Sequence, residues 1–171
     1  MSRPAPRRVR DEARELATDI AQAATGQPAP VVLAHARRGF VVAGVLSGVL
    51  DETAVPRRPS YAVCESACQR ASELLGHALG EHLVRRYSGG TRRQDLEQLI
   101  ALAQAELDFA VVGEAGPFDD VMIAMGAVLR EVLDRVAGEG AVPPKLRDAA
   151  RKARLQADVL WSHYGGDAGG T

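Results

Sequence analysis

The chain has 171 residues, 46% of them hydrophobic and 25% charged, with a formal net charge of -1. That length suits one domain, and a globular chain of this size buries roughly 70% of its unfolded surface. The charge balance excludes a polyanion or a bulk nucleic-acid condenser. Cys64 and Cys68, the only cysteines, stand four apart on a predicted helix and are poorly placed to bridge, so a disulfide scaffold is excluded.

Aromatic residues are only 4%, so Ala, Val and Leu must fill the interior, which suits closely approaching helices. Lys145 and Lys152 are the only lysines; the arginine bias reads first as that of a high-GC genome. Residues 1–6 contain two prolines, Arg3 and no core residue, and are expected to form a disordered arginine/proline arm. With no apolar run behind them they do not resemble a signal peptide.

The first helix is expected over 7–24, with Val9, Ala13, Leu16, Ala17, Ile20 and Ala24 as its stripe. Gly26, Pro28 and Pro30 end it. Residues 31–50 admit two readings. Val31-Val32-Leu33 and Phe40-Val41-Val42 have strand composition. Val42, Val45, Leu46, Val49 and Leu50 instead keep helical spacing. Two lone strands would make a marginal hairpin, so a helix is expected. Gly44 and Gly48 would admit a close neighbour, at about 1 kcal/mol of helix propensity each. The apolar run over 39–50 falls short of the ~18 residues of a membrane span.

Residues 51–59 read as a linker with Pro56 and Pro59, and Ser60 as an N-cap. The spacing predicts one long helix over 60–87, ~40 Å in length. Its buried stripe is Cys64, Ala67, Cys68, Ala71, Leu75, Ala78 and Leu79, with His82 in phase. Ser88-Gly89-Gly90 ends it. Thr91 and Gln94 have capping-box spacing, opening a helix to 112 with Leu96, Leu99, Ile100, Ala103, Leu107 and Ala110 inward.

The short turn over 113–117 predicts that the helices flanking it are antiparallel neighbours. The next helix, over 118–136, carries the clearest stripe: Phe118, Met122, Met125, Leu129, Val132 and Val136. Pro117 before it and Gly138 and Gly140 after it are start and stop signals. The other helices are expected to pack around this one. The last helix, over 143–164, buries Leu146, Ala149, Ala150, Ala153, Ala157, Leu160 and Trp161. Residues 165–171 are expected to be a flexible glycine-rich tail. The sum is an all-α, single-domain bundle over 7–164, of about six helices, mostly antiparallel neighbours, without internal repeats.

Four features bear on function. Arg85, Arg86, Tyr87, Arg92 and Arg93 flank a glycine turn that opens a helix, where arginine forks and free N–H groups suit phosphate and the tyrosine suits a base. The plainer account is dipole complementation by Arg85 and Arg86 and solvation of Arg92 and Arg93. Arg70 and His77 share the polar side of the long helix with Glu73 and Glu81. An arginine and a histidine with six residues between them resemble the loose motif of HEPN-type ribonucleases, small helical and usually dimeric proteins. The resemblance implies Arg70 and His77 acting on an RNA phosphate across two subunits. The plainer account is pairing of Glu73 with His77 and of His77 with Glu81. A metal site at Glu73, His77 and Glu81 is rejected, because ligand number and spacing both fail.

His82 in the buried stripe, with Met122, Met125 and Trp161, would line a small-molecule pocket, and the plainer account is a core histidine hydrogen-bonded to a neighbour. Arg147, Arg151, Lys152 and Arg154 form a modest basic face, and Arg3, Arg7, Arg8 and Arg10 a basic arm.

Leu102, Phe109, Val121 and Val128 widen the apolar stripes beyond one face. That surplus favours a non-catalytic helical interaction module, an adaptor or regulatory subunit that self-associates. The alternative is an RNA-binding or HEPN-like helical protein using Arg70, His77 and the 85–93 loop. No cofactor or metal is expected. The expected partners are proteins, including a second copy, with nucleic acid less favoured and no membrane. The expected setting is the cytoplasm.

Overall fold

The computed structural model describes residues 7–109, 116 and 118–166. Among them lie seven helices: α1 (Val9–Ala24), α2 (Ala29–Thr53), α3 (Pro59–Leu79), α4 (Glu81–Arg86), α5 (Arg93–Asp108), α6 (Asp119–Gly138) and α7 (Pro144–His163). No strand occurs among the described residues, so the chain is an all-α bundle. The expected arm over 1–6, the core role of Ala110, the turn over 113–117 except Gly116, the start signal at Pro117 and the tail from 167 onward lie outside the described residues.

The stripe of α6 is buried throughout, from Phe118 through Met122, Met125, Leu129 and Val132 to Val136. The helix at the centre, however, is α2. It packs against α3, α1, α5, α6, α4 and α7, whereas α6 packs mainly on α7, α1 and α2. Its composition explains this. Val32, Leu33, Ala36, Phe40, Ala43, Leu46, Val49 and Leu50 are buried over more than half of the helix circumference, as suits a helix with neighbours on several sides. By length and hydropathy α2 could also cross a membrane (mean hydropathy 1.3), but 56% of that window is buried by the other helices. A Cβ on Gly44 would come 3.0 Å from the Cβ of Cys68, so this glycine does set the close approach of α2 to α3.

Three local expectations are corrected. The long helix over 60–87 is two helices, because Gly80 adopts φ +87° and ψ 160°, a conformation open almost only to glycine. α3 begins one residue earlier than Ser60, with Arg58 as N-cap and Pro59 in the first turn, where its missing N–H costs nothing. The capping box at Thr91 does not form. Its hydroxyl donates to the carbonyl of Ser88 at 2.8 Å, and Arg92 takes the N-cap position of α5.

The helices flanking 110–117 are not a main packing pair. α5 lies on α2 and α1, and α6 on α7, α1 and α2. α1 is held at both ends by its neighbours. The Glu106 carboxylate of α5 accepts the Val9 N–H at 3.2 Å, and Arg135 of α6 donates to the Ala24 carbonyl at 3.1 Å. An acid at the N-terminus and a cation at the C-terminus also suit the helix dipole.

α6 and α7 meet at Gly126, where a Cβ would lie 2.9 Å from the Cα of Trp161. Ser47 of α2, a buried polar side chain in the core, is satisfied across the bundle by the Tyr164 hydroxyl at 2.9 Å. Burial raises the Tyr164 pKa above the ordinary phenol value, so the hydroxyl stays protonated and available to this bond.

Candidate functional site

The residues singled out from the sequence fall into separate places. Arg70 and His77 both lie exposed on α3, seven residues and therefore about 10 Å apart along the axis. The pairing of Glu73 with His77 and of His77 with Glu81 does not occur. Glu73 instead accepts from Gln69 at 3.2 Å, and Glu81 pairs with Arg85 at 3.6 Å. The break at Gly80 explains the change, since it turns Glu81 out of the helical phase of His77.

His82 was expected in the buried stripe and is instead exposed on α4. The same break is the cause. Met122 and Met125 are wholly enclosed in the core. Trp161 is half-buried with the Arg130 guanidinium 3.9 Å above its ring, and Gly166 lies against the indole. The four residues therefore do not form the expected pocket. Of the expected tail, Gly166 packs back on the bundle, whereas Gly165 is exposed.

In the 85–93 loop, Arg85 is paired with Glu81 and Arg93 with Glu97 at 3.1 Å. Tyr87 is occupied as well. Its ring packs on the His35 imidazole at 5.6 Å, and the Arg86 guanidinium sits 5.6 Å from its centroid. Arg92 is exposed at the α5 N-cap. The basic face of α7 is neutralised in part, at Arg154 and Lys152 but, among the described residues, not at Arg147 and Arg151. Arg154 pairs with Asp158 and, at 3.0 Å, with Asp134, and Lys152 pairs with Asp148 at 3.0 Å. Among the described residues no group of His, Cys, Asp and Glu could hold a metal ion. Cys64 and Cys68 are free and buried, and burial pushes the Cys64 thiol up to about 12. Neither has the thiolate character of a reactive cysteine.

Of the four residues thought surplus to the stripes, Val121 is core, while Val128 and Leu102 are half-buried. Phe109 is 87% exposed. Three further apolar residues stand out: Val55 (72% exposed) in the α2–α3 connection, Leu155 (63%) and Val63 (45%). Val63 lines a shallow groove between α3 and α7 with Ala62, Ala67, Arg70, Gln156 and Val159, about 380 Å³ in volume. Leu155 lies one turn before Val159, on the same side of α7. This groove, apolar at Ala62, Val63, Ala67 and Val159 and polar at Ser66, Arg70 and Gln156, is the candidate docking surface.

A second feature was missed in the sequence. α2 carries His35, Arg37 and Arg38 within an otherwise apolar helix. Arg38 Nη1 donates to His35 Nδ1 at 3.0 Å, which requires the neutral ring, because a guanidinium has no acceptor. Burial lowers the His35 pKa, as does Arg38, while Asp19 acts the other way. The Nε atoms of Arg37 and Arg38 are both buried without a hydrogen-bond partner. The signal available beforehand was three basic residues in four positions of a helix long enough to be buried. The chain matches no known protein family, no curated protein and no solved structure.

Proposed function

We propose that the protein is a non-catalytic helical interaction module, an adaptor or regulatory subunit, that self-associates through the α3–α7 groove. The observation that supports it is the placement of Val63, Leu155 and Val159 in and beside one groove. Apolar groups clustered on a surface lose hydration when a partner covers them, at about 25 cal/mol per Å². A second copy is the simplest occupant. A two-fold axis through the groove would set each Val63 and Leu155 against the same patch of its mate.

The cytoplasm is the proposed setting, and the free, buried Cys64 and Cys68 are compatible with it. The RNA reading has less support, since Arg85, Arg93 and Tyr87 already have intramolecular partners and Arg70 borders the groove. The test is size-exclusion chromatography with light scattering on the wild type, Leu155→Arg and Val63→Glu. A wild-type dimer and monomeric variants are expected. A wild-type monomer at every concentration, or variants that remain dimeric, would refute the proposal.

A further inference from the structure

A second cleft, about 540 Å³, opens between α1, α2 and α5 beneath the Gly89-Gly90-Thr91 turn. Its size falls within the range of small-molecule sites. Leu16, Val42, Leu99 and Leu102 give it an apolar floor, and charged side chains from three helices form its walls. Arg7 is already committed, paired with Glu15 and, at 3.7 Å, with Glu12.

Three wall charges are left over: Arg38 from α2, Asp19 from α1 and Asp95 from α5. None of the three enters an ion pair among the described residues. Arg38 spends one donor on the neutral His35 ring, keeps a buried Nε without an acceptor, and holds Nη2 beside Gly90, 3.5 Å from where a Cβ would stand. A guanidinium in this condition retains most of its five donors, and a carboxylate fits its fork.

An anion alone would meet Arg38 but also two carboxylates. A cation alone would satisfy the aspartates and leave Arg38 unanswered. A molecule bearing both charges on a hydrocarbon body answers all three groups and covers the leucine and valine floor. We infer that this cleft binds an aliphatic zwitterion, an apolar α-amino acid or a dipeptide of such residues. Its carboxylate lies against Arg38, its ammonium between Asp19 and Asp95, and its side chain on Leu16, Val42, Leu99 and Leu102. This site is on different helices from the α3–α7 groove and does not depend on self-association.

The test is calorimetric titration of the full chain with L-leucine, L-leucyl-L-leucine, 4-methylpentanoate and isopentylamine. At least one of the two zwitterions should bind at millimolar concentration or below, and each single-charge analogue about tenfold or more weakly. Arg38→Gln and Asp95→Asn should each weaken the zwitterion by about tenfold or more. Asp95 lies half-buried in the first turn of α5 and not in α2, so Asp95→Asn gives a folded comparison should Arg38→Gln disturb α2. Absence of binding by both zwitterions, equal binding of the amine alone, or binding unchanged in Asp95→Asn would overturn the inference.

Discussion

Replacing Gly126 by alanine should destabilise the protein even though alanine is the better helix former. The added methyl would stand 2.9 Å from both the Cα and the Cβ of Trp161 and 3.1 Å from its backbone nitrogen. Two of these three atoms belong to the α7 backbone, so no rotamer change relieves the contact and the helix itself must retreat. α7 resists, because Arg130 pairs with Asp158 at 2.7 Å and Tyr164 is tied to Ser47. Overpacking of this kind costs about 1–3 kcal/mol, and the gain in helix propensity returns about 1 kcal/mol. The net loss is up to about 2 kcal/mol, which for a domain of this size lowers Tm by up to roughly 8 °C. Gly39→Ala is the control. Its methyl would meet Ile20 Cδ1 at 2.7 Å, Leu129 Cδ2 at 3.2 Å and Met125 Sδ at 3.2 Å, all side-chain ends that can turn aside. There the two terms should nearly cancel. Thermal unfolding followed by far-UV circular dichroism measures both. A Gly126→Ala protein at least as stable as the wild type would refute the close α6–α7 contact.

The other expectations concern single interactions. Tyr164→Phe strands the buried Ser47 hydroxyl and should cost about 1–3 kcal/mol in urea unfolding, part of which Ser47→Ala added to it should restore. An additive double variant would show that the bond does not bridge α2 to the chain after α7. Gly80→Ala forces a side chain into φ +87° and should cost about 1–3 kcal/mol. An unchanged midpoint would mean that α3 and α4 can join. His35 folds with a pKa below 6.5, so the unfolded chain binds its proton first. The stability it contributes is whole above pH 6.5 and drains away as pH falls from there through the folded pKa. His35→Gln should flatten that slope in urea midpoints measured across this window, and a slope identical to the wild type would remove His35 as its source.

Periodicity made the helices legible. The stripe from Phe118 to Val136 is buried residue for residue, and the helical phase of Val42, Leu46, Val49 and Leu50 decided correctly against strands. Composition was less informative about arrangement, since the broad buried face of α2 makes it the centre only once its neighbours are known. The break at Gly80 was not legible because a glycine is tolerated within a helical pattern and Glu81, His82 and Leu83 continue the period. That one dihedral moved His82 to the surface and separated Glu81 from His77. The Arg38 cleft was invisible for another reason. Its charges come from three helices distant in sequence, and their lack of ion-pair partners is a property of the packed molecule.

The account turns on the α3–α7 groove meeting its own copy, and a spin label can report that face directly. Lys152 is exposed on the same side of α7 as Leu155, and Cys64 and Cys68 are buried away from labelling reagents. With Lys152→Cys labelled by a nitroxide, double electron–electron resonance should show one short distance between the two copies of a dimer. A decay without dipolar modulation, at concentrations where light scattering still finds twice the 18.2 kDa chain mass, would place the interface elsewhere and contradict the account.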